Sequence, residues 1–314
     1  METKQISYML AIAEAGNVTK AAEGLFITQS ALDQQLLKLE RELGARLFHR
    51  ARNRLVPTEA GEIYLRYARQ MLGLKEEAYR IIQDLADHRR GELSMAFAPE
   101  RGMEMFMDIY PAFYAAYPGV TVTPREMGVR LQLERLQRDE LDVGFVSMAA
   151  EKVPGLTLRP IVREDFLLIA PLGSPLAARA APPGAALTLL RAGELGQIPL
   201  SLMYRESTQR EVVDPFFADA GVAPRVFLET ASNRANVAMV EKGLSCSILP
   251  RWYAEGNPRV ACFQLEGGPH WTISACYREG RYLSQAVQDF IARACDYLRR
   301  EPAAPKQEEP YVHL

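Results

Sequence analysis

Residues 17–61 read NVTKAAEGLFITQSALDQQLLKLERELGARLFHRARNRLVPTEAG, and this stretch leaves few folds open. Val18, Ala21, Ala22 and Leu25 fall on one face of a helix, and the two alanines let another backbone come close. Thr28 is placed to cap a second helix through its hydroxyl. In that helix Leu32, Leu36, Leu39 and Leu43 recur every three or four residues as a buried stripe. Gln29, Ser30, Asp33, Gln34, Lys38 and Arg41 are left on the opposite side, and Gly44 follows as a helix stop. Arg46, Arg50, Arg52 and Arg54 then lie in a segment without a single acid. A helix, a tight turn, a second helix with a polar leading edge and a basic segment form the order that seats a helix in a DNA major groove and grips the backbone beside it. Gln suits bidentate contact with adenine, and Ser can serve base or phosphate. Periodicity alone also fits a surface helix hairpin that meets no nucleic acid, with the arginines on a solvated face.

Composition narrows the choice. The formal net charge of the 314 residues is only −2, so bulk cationic attraction to DNA is excluded and the local arginine cluster has to neutralise phosphates. With 48% hydrophobic and 24% charged residues the chain can bury ordinary cores, and its length suits two or three compact units. Cys246, Cys262, Cys276 and Cys295 form no C-x-x-C pair, which reads as reduced thiols in a cytoplasmic protein; nothing in their spacing asks for a thiol switch. His49, His88, His270 and His313 are too scattered for a three-ligand metal set. No nucleophile elbow, zinc-protease helix, phosphate loop or dinucleotide fingerprint is present, so no catalytic residue, metal or cofactor is expected. Ile6, Met9, Leu10 and Ala13 share a face but are followed by Glu14, which predicts a first helix rather than a secretory leader. No apolar run approaches the roughly 18 residues of a membrane span.

From Thr58 the pattern changes. Thr58 can cap a long helix with Glu59 and Glu62 in its first turn, where the helix dipole favours acids. Tyr64, Tyr67, Met71, Leu74, Ala78, Ile81 and Leu85 then alternate spacings of three and four, a heptad seam without a proline. At 1.5 Å per residue such a helix would reach about 40 Å. The seam predicts pairing with a second copy, packing on the chain's own core being the other way to bury it. Residues 88–91, HRRG, read as a hinge.

Beyond Glu92, strand and helix patterns alternate. Strands are expected at 93–98, 120–123, 142–147, 166–170, 198–203, 225–230, 245–249 and 271–277. Helices are expected at 103–117, where Pro111 must kink or split the helix, around Leu131, Leu133 and Leu136 with Leu141 at the exit, near 209–220, and at 233–242 and 284–299. This order calls for right-handed βαβ units in a mostly parallel sheet. Residues 301–314, EPAAPKQEEPYVHL, are expected to be disordered.

The chain resembles the LysR-type transcriptional regulators. The match runs through Ala21-Ala22, Leu25, Thr28-Gln29-Ser30-Ala31-Leu32, Gln35, Leu39-Glu40, Leu43-Gly44, Arg46-Leu47-Phe48, Arg50 and Thr58-Glu59-Ala60-Gly61. Weaker matches follow at Phe113-Tyr114, Tyr117-Pro118, Leu141-Asp142-Val143-Gly144, Ala170-Pro171, Pro175-Leu176, Ala220-Gly221, Lys242-Gly243 and Leu249-Pro250. The resemblance implies an α plus α/β fold: a winged helix-turn-helix (residues 1–58), a linker helix and hinge that pair two copies (59–90), and a two-lobed effector domain like a periplasmic solute-binding protein (91–300). Lobe I would hold 91–161 and 267–300 and lobe II 162–266, with crossings near Ile161 and Gly267.

It also implies function. Gln29, Ser30, Asp33 and Gln34 would face DNA, with residues 50–54 as the wing; Thr28, Lys38, Arg50, Arg52, Asn53, Arg54 and Thr58 complete the expected DNA-binding set. Two positions depart from the pattern: Asp33 stands where Ser is usual, and Pro57 where Leu is usual, so the family's site preference is not carried over. Ligands in open α/β sheets sit beyond the carboxyl ends of strands. This points to Ala98, Pro99, Glu100, Arg101, Met127, Gly128, Ser147, Met203, Tyr204, Arg205, Ser207 and Thr208. Backbone donors at Ser207 and Thr208, with Arg101, Arg205 and Arg210 nearby, suggest a small carboxylate, whereas Glu100 would welcome a cationic group. The expected partners are promoter DNA, a small-molecule effector, a second copy or a dimer of dimers, and RNA polymerase, with no membrane. The alternatives are a DNA-binding regulator whose lobes only assemble, and an enzyme on a solute-binding fold.

Overall fold

The leucine repeat does fold as a helix and organises a small domain around itself. The computed structural model describes residues 3–51, 54–86, 90–182 and 184–300. In it α1 (Thr3–Ala15), α2 (Val18–Gly24) and α3 (Gln29–Leu43) share one core of Met9, Ile12, Ala21, Ala22, Leu32, Leu36 and Leu39. Leu43 was expected in the same stripe but is 47% exposed, because α3 ends there. Gly44 turns the chain away at φ 69°, where a β-carbon would be strained. Asn17 caps α2, accepting from the backbone N–H of Thr19 and Lys20, and Thr28 caps α3 through Ala31 N. The Glu40 carboxylate accepts from Leu47 N at 2.7 Å, tying α3 to the ribbon that follows. That ribbon is β1 (Phe48–Ala51) paired antiparallel with β2 (Arg54–Pro57).

The long helix α4 (Glu59–Ala86) begins where Thr58 was expected to cap it, with Gly61 N donating to Thr58 Oγ1 at 3.0 Å. Gly61 lies so close to the ribbon that a β-carbon on it would be 2.0 Å from the Leu47 carbonyl oxygen. Leu65 anchors α4 to the core of the domain. The expected contacts Arg52 and Asn53, the hinge residues His88 and Arg89, and the tail 301–314 lie outside the described residues.

Residues 1–87 and 88–314 form separate compact units. In the second, β3 (Arg90–Phe97), α5 (Arg101–Ala116), β4 (Gly119–Glu126), α6 (Val129–Gln137) and β5 (Val143–Met148) build lobe I. The chain then enters β6 (Leu156–Pro171), a strand of 16 residues. Lobe II holds β7 (Leu189–Leu190), β8 (Pro199–Met203), α7 (Arg210–Ala218), β9 (Arg225–Thr230), α8 (Asn233–Glu241), β10 (Cys246–Pro250), α9 (Arg251–Ala254) and β11 (Val260–Leu265). β12 (His270–Arg278) and α10 (Gln285–Arg299) return to lobe I.

The sheet is mixed rather than mostly parallel. Its order is β4-β3-β5-β12-β6-β10-β8-β9, with β11 on β6 and β7 on β11. β3 runs parallel to β4 and β5, and β8 parallel to β9 and β10, as βαβ units require. The departures are β6, which is antiparallel to β12, β10 and β11, and β12, which is also antiparallel to β5. Strand β6 crosses from lobe to lobe without breaking: β12 pairs with it as far as Asp165, and β10 takes over at Phe166 and β11 at Leu167. Helix α5 continues through Pro111 without being split. Pro111 and Met107, whose carbonyl loses its helix partner there, are both on the exposed side, where water can replace the bond. Each lobe carries helices on both sheet faces, α5 and α10 opposite α6 in lobe I, and α7 opposite α8 and α9 in lobe II.

A polar node sits where the lobes join. Glu164 of β6 pairs with Arg101 at the start of α5, and their side chains are only 7% and 16% exposed. Trp271 Nε1 donates to Glu164 Oε2 at 2.8 Å, and Trp252 N donates to Oε1 at 3.3 Å. The Arg101 guanidinium lies 5.3 Å from the centre of the Trp252 ring. Removing one partner of a buried pair strands the other charge, so Glu164→Ala should destabilise the second unit by about 3–5 kcal/mol. Urea unfolding followed by tryptophan fluorescence checks this, and an unchanged midpoint would contradict the buried pairing. In the first unit Gly61→Ala should cost about 1–3 kcal/mol, because the clash is with backbone and not with a side chain that can swing aside. Its helical signal should be lost at lower denaturant than in the parent.

Candidate DNA-binding surface and ligand cleft

On α3 the buried leucines leave a polar row facing outward. Thr28, Gln29, Ser30, Gln34 and Lys38 are exposed and Asp33 is half-buried. The row is ordered by its own hydrogen bonds. Thr19 Oγ1 donates to Gln29 Oε1 at 3.0 Å, and Gln29 Nε2 donates to Asp33 Oδ2 at 3.4 Å. Thr28 and Ser30 hydroxyls lie 3.2 Å apart. Gln29 keeps one N–H and one acceptor lone pair for a base edge. Arg50 on β1 and Arg54 on β2 are exposed on the ribbon. Thr58 is half-buried at the start of α4: its hydroxyl donates to the Arg46 carbonyl at 2.6 Å and accepts from Gly61 N.

Along α4 the expected seam divides. Tyr64 packs on the core of the small domain, and burial followed by Glu42 raises its hydroxyl pKa above the ordinary value. Tyr67, Met71 and Leu74 are 54%, 48% and 60% exposed. Ala78 is exposed and Ile81 half-buried, while only the backbone of Leu85 is described.

In the second unit the carboxyl ends of the parallel strands bring most of the expected loops together. Ala98, Pro99 and Glu100 follow β3, Met127 and Gly128 follow β4, and Ser147 is half-buried near the end of β5. Tyr204 of lobe II faces lobe I: a β-carbon built on Gly128 would be 3.8 Å from its hydroxyl. Beside it Arg130 of α6 pairs with Glu211 of α7 at 2.9 Å.

Ser207 and Thr208 were expected to offer backbone donors to an anion. Both residues are buried, and Ser207 N donates to the Tyr204 carbonyl at 3.0 Å. The three arginines are committed to acids. Arg101 is held by Glu164, Arg210 by Asp214 at 2.6 Å and Glu229 at 2.9 Å, and Arg205 lies 3.7 Å from Glu229. Burial works against the charge of Arg210, but its two carboxylate partners outweigh it and raise its pKa.

Several residues around the cleft had not been expected. Ser232, Asn233 and Arg234 follow β9, and Trp252 and Tyr253 follow β10. The rule that pointed to the ends of β3, β4, β5 and β8 would have found them if applied to these two strands. Tyr253 has its hydroxyl pKa raised well above the ordinary value, by burial first and then by Glu100. The cysteines offer little chemistry. Burial pushes Cys246 and Cys262 up to about 11 and Cys276 up to about 12, so the reactive thiolate is scarce at neutral pH. Among the described residues no helix is long and apolar enough to cross a membrane.

Comparison with known proteins agrees with this geometry. Residues 3–62 match the model of the bacterial regulatory helix-turn-helix protein, lysR family, and residues 86–299 match the LysR substrate binding domain. The HTH-type transcriptional activator CmpR of Synechocystis is 29% identical over 301 residues, covering 94% of this chain and 93% of its own. The uncharacterised HTH-type transcriptional regulator YybE of Bacillus subtilis is 26% identical over 295 residues, covering 92% and 97%. Among solved structures, full-length CbnR complexed with its target DNA has a TM-score of 0.58 at 26% identity, covering 94% of this chain and 99% of that one. Full-length OxyR from Pseudomonas aeruginosa has a TM-score of 0.69 at 20% identity, covering 97% and 99%, and shares the fold. The chain belongs to the LysR family of transcriptional regulators, with a helix-turn-helix DNA-binding domain followed by a two-lobed LysR substrate-binding domain.

Proposed function

We propose that the chain binds promoter half-sites as a dimer or a dimer of dimers and senses a small molecule between its lobes. The observation that carries the DNA-reading part is the exposed row Gln29, Ser30, Gln34 and Lys38, with Leu32, Leu36 and Leu39 buried behind it. The exposed apolar residues of α4 support pairing with a second copy, which would hold two recognition helices a fixed distance apart. The structure of CbnR with its target DNA supports the same use of this domain. Effector binding shifts the arrangement of the lobes, and through it the spacing of the paired domains and the bend of the DNA. In this reading the protein acts in the cytoplasm, meets RNA polymerase at the promoter and catalyses no reaction. It needs no metal or cofactor. Arg101, Arg205 and Arg210 already face acids, so a carboxylate effector would have to compete with the chain's own carboxylates.

A second reading, in which the lobes only assemble, is favoured by the direct contacts between them. Screening metabolites for a rise in melting temperature separates the two, since a ligand of the folded form stabilises it.

Gln29→Ala should relax base preference at a cost of about 1–3 kcal/mol if the amide reads a base edge. Selection of binding sites from random DNA measures this, and equal weakening on specific and random sequences would reject the role. Arg50→Ala should weaken binding to every sequence and flatten the logarithmic salt dependence by about one unit. An unchanged slope in a salt titration would show that Arg50 neutralises no phosphate.

A further inference from the structure

One of the contacts between the lobes joins a carboxylate to a helix start. Glu100 lies in the loop between β3 and α5 of lobe I, while Ser232 and Arg234 open α8 of lobe II. Glu100 Oε1 accepts from Ser232 Oγ at 2.6 Å and from Arg234 N at 3.3 Å. Ser232 Oγ also caps α8, accepting from Ala235 N at 3.1 Å. The beginning of a helix carries partial positive charge and N–H groups with no partner inside the helix. Glu100 supplies both the opposite charge and an acceptor. Its backbone stands at φ 62°, ψ −98°, a conformation costly for a residue with a β-carbon, so the loop is held in strain where the side chain reaches lobe II. A second bridge ties the same two helices, Arg234 Nη2 to Glu104 Oε2 at 3.3 Å. The buried Tyr253 hydroxyl meets the same carboxylate, and Asn233 beside it is 5% exposed, so Glu100 is held from lobe II by α9 as well as by the start of α8.

We infer that Glu100 is an internal carboxylate ligand, which occupies the start of α8 from within the chain and latches lobe I to lobe II. The carboxylate site of this cleft is filled by the protein itself. Any small molecule that takes the start of α8 must displace Glu100, and in doing so it removes one of the ties between the lobes. Ligand sensing at this point is competition with a side chain. The latch is an intramolecular contact and does not depend on the effector reading.

The test uses the full chain and no effector. Glu100→Ala should lower the melting temperature of the second unit in sodium chloride by about 2–4 °C. Sodium acetate or propionate at matched ionic strength should restore part of that loss, while the parent melts alike in both salts. A variant as stable as the parent, a loss that neither carboxylate recovers, or a parent that gains as much as the variant would each overturn the inference. If the alanine variant does not fold, Glu100→Gln and Ser232→Ala are combined in a double-mutant cycle. Non-additive losses are expected, and additive ones would overturn it. A metabolite screen that finds no effector leaves these outcomes readable, so failure of the sensing role and failure of the latch are distinguishable.

Discussion

A carboxylate buried where two sheets meet must be paired or it costs the fold several kcal/mol. Glu164 meets that demand with groups from three other places: the Arg101 guanidinium from α5, the Trp252 backbone N–H from α9 and the Trp271 indole from β12. One of these belongs to each lobe and one to the strand that leads back to lobe I. Satisfying a single buried charge therefore fixes how the lobes approach. The node is also tied to apolar packing, since Trp271 stands edge-on to Phe166, 5.0 Å away, at the edge of the lobe II core. Arg101 is the first residue of α5, so the node also fixes the loop before it, and with it the position from which Glu100 reaches α8.

Much of this fold could be read from the chain. The leucine stripe, the caps at Thr28 and Thr58, the stop at Gly44 and the strand at 225–230 follow from local residues, because caps and periodicity are local physics. The direction of pairing could not be read this way. Residue pattern marks a strand at 166–170 but shows neither that its neighbours run the other way nor that it extends back to Leu156. The node was also beyond reach: Glu164 and Trp271 are 107 residues apart, and neither carries a local pattern that announces the other.

The cleft shows the same limit in its charges. Sequence places arginines near strand ends but does not show what they face. Asp214 was legible as a partner of Arg210, four residues on within one helix, whereas Glu229 comes from the next strand and Glu164 from the crossing strand. Once both kinds of partner are present, the apparent excess of positive charge disappears. Glu100 likewise finds its partners across the cleft, at Ser232 and the backbone of Arg234.

The same reasoning bears on Asp33. A carboxylate on a recognition helix is repelled by phosphate, so its presence has to be offset by something it does well. Here it accepts from Gln29 Nε2 while Thr19 donates to Gln29 Oε1, and between them the amide is held before any DNA arrives. An amide has two N–H groups and an oxygen with two lone pairs, so one donor and one acceptor stay free, the pair that an adenine edge requires. Holding a long side chain in one orientation lowers the entropy lost on binding. On the proposed reading of Gln29 as a base contact, the position that departs from the family pattern orders the side chain that would meet the base edge.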